Sequence, residues 1–228
     1  MSPLSDTAAL PSAPPASVPT VRRAPDTTER TASRVLTVVG VSGSPTAPSK
    51  TSVLVGEVVR SFASSLGGRE SVIELAPLLS ELAEGAHRHE LGANARHALD
   101  VVEAADVIVA GSPAYRATYT GLFKLFFDHI GQYALVDKPV VLTATGGSDR
   151  HALLVEHQMR PLFGFFQALT LPLGIFATSE DLAGYELRSA DVRDRIDVSV
   201  RRTLPLILSH LGVGTGGPRQ DFGRPDAF

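Results

Sequence analysis

A doubly wound parallel α/β sheet is the fold class this chain predicts, and three observations predict it. Five apolar runs recur along the sequence, five stretches of helical patterning separate them, and the first run ends in a Gly/Ser/Thr-rich loop that opens directly into a helix. Runs apolar on both faces belong to strands covered on both sides, as parallel sheets with flanking helices require. Alternation of strand and helix then makes the connections βαβ crossovers.

The elements follow in order. Val35–Val41, VLTVVGV, is the first strand, and Thr51–Leu66 the helix that its loop opens. Ser71–Leu75 is the second strand, followed by helical patterning over Ala93–Ala104. Val107–Gly111 is the third strand, leading to the Leu- and Phe-rich helix Thr120–Ile130. Pro139–Thr145 is the fourth, before the helix His151–Leu169. Leu171–Ala177 is the fifth, before a last helix over Ala190–His210. The simplest arrangement is flavodoxin-like, a five-stranded parallel sheet in order 2-1-3-4-5 with helices on both faces.

With 228 residues, 43% of them apolar, the chain fits one sizeable domain with a full core. Residues 1–34 are rich in Pro, Ala, Ser and Thr without an apolar signal core, and read as a disordered leader. Residues 212–228 read as a flexible tail, leaving 35–211 as the folded domain. A formal net charge of -3 offers no basic surface for nucleic acid. No apolar stretch has the length of a membrane span. The absence of cysteine removes disulfides, thiolate nucleophiles and Cys-ligated zinc, and is compatible with a cytoplasmic location.

The loop after the first strand, SGSPTAPSKTS, carries the chemistry. A strand-loop-helix junction aims backbone N–H groups and a helix N-terminus at one point, where a phosphate is favoured. A P-loop is excluded because Ser49, not glycine, precedes Lys50 and Thr51, one position too late after Gly43. The dinucleotide fingerprint fails as well, since no glycine follows Gly43 until Gly56. What remains is a set of hydroxyls, Ser42, Ser44, Ser49, Thr51 and Ser52, with the charge of Lys50. That set suits the phosphate of a flavin mononucleotide. The same hydroxyls also suit ordinary helix caps, and spacing alone leaves both readings open.

The expected strand order makes a further prediction. Ligands in such sheets sit beyond the C-terminal strand ends, at the switch point between the first and third strands. Loops Ser42–Lys50, Ser112–Thr120 and Thr145–Arg150 should therefore converge on one crevice. Gly146 and Gly147 would allow the backbone to approach a flat ligand closely.

Three segments, GSPTAPSKTSVL, GSPAYRATYTGLFKLFFD and ATGGSDRHALLVEHQMRPLFGFFQA, resemble the NAD(P)H-dependent FMN reductases. Among these the likeness is to the small flavin reductases that serve two-component alkanesulfonate and methanesulfonate monooxygenases, and it runs from about Val35 to Leu208. The resemblance implies a homodimeric or homotetrameric subunit that takes hydride from NADH or NADPH and hands reduced FMN to a separate monooxygenase. It implies that Ser44, Ser49, Lys50, Thr51 and Ser52 hold the FMN phosphate. Pro113, Ala114, Tyr115 and Arg116 would line the ribityl chain and ring edge, and Thr145, Gly146, Gly147 and Ser148 the other edge. Tyr119 would stand at the start of a subunit-contact helix, near a π-helical bulge, either stacking on a neighbouring flavin or packing in the interface.

No residue is expected to act as acid or base, because hydride transfer between two cofactor rings needs positioning rather than a protein nucleophile. An FMN-retaining quinone or azo reductase is an alternative within the same chemistry. A flavodoxin-type electron carrier is another, although carriers of that kind are commonly more acidic. His87, Arg88 and His89 form the densest histidine cluster but lack a third ligand at a usual spacing, so no metal site is expected. Phe123, Phe126, Phe127, Phe163, Phe165 and Phe166 recur near helical spacing and are expected in the core or between subunits. The helix Leu122–Ile130 is expected to carry more apolar surface than a monomer needs.

Overall fold

The computed structural model describes residues 35–213; the expected leader, 1–34, and all but the first two residues of the expected tail lie outside them. In chain order come β1 (Thr37–Ser42), α1 (Lys50–Leu66), β2 (Arg69–Glu74), the single-turn α2 (Leu79–Leu82), α3 (Ala93–Ala104) and β3 (Val107–Pro113). There follow α4 (Gly121–Asp128), β4 (Pro139–Gly146), α5 (Arg160–Phe165), β5 (Leu169–Thr170), β6 (Ile175–Thr178) and α6 (Ala190–Leu211). All pairings are parallel, in the order β2-β1-β3-β4-β5, with β6 also on β4. The expected order is the observed one, with one strand more.

Two apolar layers cover the sheet. On one face Leu54, Val58 and Phe62 of α1 and Val192, Ile196 and Val200 of α6 pack with Val38, Val109 and Val141. On the other, Leu99 and Val102 of α3, Phe123 and Phe127 of α4 and Phe163 of α5 pack with Val39, Ile108 and Leu142. Each fully buried large side chain of this kind contributes about 1.5–3 kcal/mol. The phenylalanines interlock around Phe127, with Phe123 tilted at 4.7 Å and Phe163 edge to face at 4.9 Å between ring centroids. Phe165 alone of the six points outward, 63% exposed.

α1 lies unusually close to the sheet. A Cβ on Gly111 would stand 2.3 Å from a Val55 methyl and 2.5 Å from the Thr143 hydroxyl, so only a bare backbone fits beneath the helix. Ser49 caps the helix N-terminus and Gly67, at φ 60°, its C-terminus.

Four expectations are corrected. β2 begins at Arg69 rather than Ser71 and is largely exposed, not covered on both sides, because it is the sheet edge; Arg69, Glu70 and Glu74 supply the charges that protect such edges. The single fifth strand is split into β5 and β6. Pro172, which has no N–H to give a ladder, lies in the break with Gly174, where a Cβ would stand 2.3 Å from Val155. The long helix expected over His151–Leu169 is instead a 3₁₀ turn at Asp149–His151, a π-helical turn at Val155–Met159 and then α5. Pro161 explains the widened turn, since it lacks the N–H for the His157 carbonyl and its ring crowds that position. Finally, α4 has no apolar excess on its surface: Leu122, Phe123, Phe126, Phe127 and Ile130 are all buried in the chain's own core.

Candidate functional site

Three loops leave the C-terminal ends of β1, β3 and β4 and meet in an open crevice of about 270 Å³. Ser44, Tyr115 and Gly146, one from each loop, all line it. The contacts that join them are between loops. The Gly43 N–H donates to the Gly111 carbonyl at 2.8 Å, and the Thr120 hydroxyl donates to the Gly43 carbonyl at 2.6 Å. The Ala114 N–H donates to the Thr145 carbonyl at 2.7 Å, and the Thr51 and Thr145 hydroxyls stand 2.6 Å apart.

In the first loop the hydroxyls divide their roles. Ser49 Oγ accepts the N–H groups of Thr51 at 3.1 Å and Ser52 at 3.2 Å, so it is a helix cap that still faces the crevice. The Ser44 hydroxyl donates to the Thr46 carbonyl at 3.0 Å. Ser52 is hydrogen-bonded to Ser42 at 2.9 Å and does not line the crevice. Lys50 does, donating from Nζ to the Ser179 carbonyl at 2.7 Å. The first turn of α1 carries no acidic side chain, so the dipole and the ammonium both favour an anion here.

The second loop is a small hairpin. Tyr115 and Thr118 exchange backbone hydrogen bonds of 2.7 and 3.1 Å across a tip where Arg116 and Ala117 have φ of 49° and 69°. Two consecutive left-handed residues make the turn compatible with the twist of its flanks, at some backbone strain because neither is glycine. Pro113, Ala114 and Tyr115 line the crevice, whereas Arg116 is exposed at the tip and does not. Thr145, Gly146 and Gly147 line it from the third loop, and Ser148 does not. A Cβ on Gly146 would stand 2.9 Å from the Phe176 ring, while one on Gly147 would meet nothing within 4 Å. Gly146 is thus confined to bare backbone by Phe176 behind it, whereas the backbone at Gly147 borders open space.

Tyr119 precedes α4, half-buried, its ring 5.6 Å from that of Phe123. The π-helical turn is at Val155–Met159 rather than in α4, and it meets the residue before Tyr119 through Gln158, which accepts the Thr118 hydroxyl at 3.3 Å. Among the described residues no group of three or more His, Cys, Asp or Glu could hold a metal ion. No described helix is long and apolar enough to cross a membrane.

A fourth loop went unforeseen. Ser179 and Tyr185, between β6 and α6, complete the crevice wall, together with Pro45, Thr46 and Pro48 of the first loop. The rule that places ligands beyond the C-terminal strand ends applies to this loop as well, and would have found it. Asp181 holds it in shape, accepting the Thr178 N–H and hydroxyl, both at 2.7 Å. Burial pulls the Asp181 carboxyl upward, but the hydrogen bonds from Thr178 and Ser189 outweigh it and hold it below its ordinary value.

Residues 36–183 match the family model described as NADPH-dependent FMN reductase. The chain belongs to that family. An NADH-dependent FMN reductase, SfnF, of Pseudomonas fluorescens is 43% identical over 78% of this chain and 96% of its own length. Another, SfnE, of Pseudomonas putida is 45% identical over 77% and 94%. Among solved structures, an oxidoreductase from Corynebacterium diphtheriae superposes with a TM-score of 0.66 at 31% identity, over 77% of this chain and 98% of that one. Membership makes the chain an oxidoreductase of a family that pairs FMN with a reduced nicotinamide, on a flavodoxin-like sheet.

Proposed function

We propose that the crevice binds FMN with its phosphate at the N-terminus of α1, and that the chain reduces it with hydride from NADH or NADPH. The observation that carries this is the meeting of the three loops at one rim, locked by the Thr51–Thr145 and Ala114–Thr145 hydrogen bonds. Ser44, Ser49, Lys50 and Thr51 would hold the phosphate. Pro113, Ala114 and Tyr115 would form one wall of the ring site, and Thr145, Gly146 and Gly147 the other. Arg116 and Ser148, beside these walls, belong to the proposed set through small movements of their loops, and Ser52, in the first turn of α1, through exchange of its Ser42 partner. Bound FMN supplies an acceptor for the hydride, so no side chain needs to act as acid or base.

The chain's own contribution is positional. Backbone N–H groups along the third loop would act as donors where negative charge gathers on reduction. Lys50, which donates to the Ser179 carbonyl, would exchange that partner for phosphate. Few charged groups line the crevice, which suits moderate affinity and release of reduced FMN to a separate monooxygenase. Organosulfur substrates for that monooxygenase follow from the likeness to sulfonate-linked reductases. A cytoplasmic homo-oligomer agrees with a reduced-nicotinamide substrate and with the same likeness, but α4's buried apolar face lends the oligomer no support of its own.

Titration of the purified chain with FMN, and NADH and NADPH oxidation with and without added FMN, test the proposal. Oxidation that depends on free FMN is expected. Tightly retained flavin with rapid quinone turnover would favour the prosthetic-group alternative, and binding without nicotinamide oxidation would favour the electron carrier.

A further inference from the structure

A second groove, of about 540 Å³, opens beside the crevice on the outer side of α1. The two share Pro48, Ser49 and Tyr185 as a common wall, so a ligand leaving the crevice over that wall enters the groove. The crevice, at about 270 Å³, lies below the range of about 300–1,000 Å³ usual for a site that encloses one ligand, and the groove lies within it. A nicotinamide dinucleotide stacked on a flavin extends its adenosine half away from the ring, and the groove is a neighbouring space able to take it.

On the reading of the crevice as the flavin site, we infer that this groove receives the adenosine half of the nicotinamide donor and selects NADH over NADPH. Tyr185 is 48% exposed and borders both spaces, so its ring offers an aromatic face at their junction. The groove's ionisable side chains are Glu57, Arg60 and Glu74. Arg60 Nη1 already donates to Glu57 Oε1 at 2.8 Å, and Glu70 on the neighbouring strand adds to its acidic surroundings. A 2′-phosphate entering here would have to displace Glu57 from the one guanidinium and face Glu74 besides. A ribose 2′-hydroxyl instead donates to either carboxylate without disturbing the pair. Gly56 forms part of the groove surface, and a Cβ there would meet nothing within 4 Å, so a side chain at this position starts into open space.

Two variants of the full chain test this by steady-state kinetics at saturating FMN, with FMN affinity and thermal midpoint as controls. The wild type is expected to prefer NADH by about tenfold in kcat/KM. Gly56→Phe should raise the KM for NADH by about tenfold with kcat and FMN affinity little changed, since it removes binding remote from the reacting atoms. Glu57→Gln should free Arg60 and raise kcat/KM for NADPH by about fivefold, narrowing the preference. Calorimetric binding of 5′-AMP reads the groove without turnover: wild type should bind it and Gly56→Phe should not. Equal 5′-AMP binding by both, or donor KM values in both variants within about twofold of wild type, would overturn the inference. Retained 5′-AMP binding in a chain that oxidises neither nicotinamide with FMN would support the groove and count against the flavin reading alone.

Discussion

The hydroxyls of Thr51 and Thr145 stand 2.6 Å apart, joining the first turn of α1 to the end of β4. Both residues are buried, at 2% and 6% exposure. This pair ties the proposed phosphate end of the crevice to its proposed ring wall. Removing one hydroxyl leaves the other buried with its partner lost, at about 1–3 kcal/mol, whereas removing both spares that penalty. Thr51→Val and Thr145→Val should each lower the urea midpoint and weaken FMN binding. The double variant should recover stability relative to the sum of the singles, measured as a double-mutant cycle.

Gly43 is confined by Phe123. A Cβ there would stand 2.6 Å from Phe123 Cδ2, and the Gly43 carbonyl accepts the Thr120 hydroxyl. Gly43→Ala should cost about 1–3 kcal/mol by overpacking and shift the first loop. Chemical denaturation reads the first effect, and a raised FMN dissociation constant the second.

The hairpin tip holds Ala117 at φ 69°, a conformation that glycine adopts without penalty. Ala117→Gly should leave stability unchanged or raise it by up to about 1 kcal/mol, in contrast to the usual loss on introducing glycine. The measurement is the thermal midpoint. A clear fall would show that the tip relaxes to an unstrained turn.

Asp181 gives the β6–α6 loop a pH dependence. Its folded carboxyl holds its proton less tightly than in the unfolded chain, because the Thr178 and Ser189 hydrogen bonds outweigh the opposing effect of burial. The stabilisation is therefore complete above the ordinary aspartate value and is lost as pH falls through the lower folded value. Asp181→Asn should cost on the order of 1 kcal/mol at neutral pH and progressively less in acid. Denaturation midpoints of the two proteins at neutral and acid pH should converge as the carboxyl is protonated. At neutral pH the variant should also loosen Tyr185, raising its solvent quenching.

Not all of the site was equally legible. The strand order, the strand-loop-helix junction from Gly43 to Ser49 and the convergence of three loops follow from periodicity and from the position of turn residues. Those are local signals. Ser52 illustrates the limit: its hydroxyl type and its place in the helix fit phosphate binding, yet Ser42 holds it, a pairing that depends on how α1 sits on β1. Arg116 is similar, since only the hairpin's left-handed tip carries it out of the crevice wall. Pro161 and Pro172 were visible as residues, but the π-helical turn and the break between β5 and β6 arise where those prolines meet neighbouring packing.

Hydrophobic spacing along the chain marked the strands and helices, which depend on residues within a few positions of one another, and their alternation selected a parallel sheet with loops gathered at its C-terminal rim. Folding in three dimensions decided which hydroxyls face the crevice, that α4 spends its apolar face on the chain's own core, and that Ser179 and Tyr185 join the rim. Thr51 and Thr145 are 94 residues apart in sequence and share a hydrogen bond. No local pattern encodes such a pairing; it exists only once α1 has docked on the sheet and brought the two ends together.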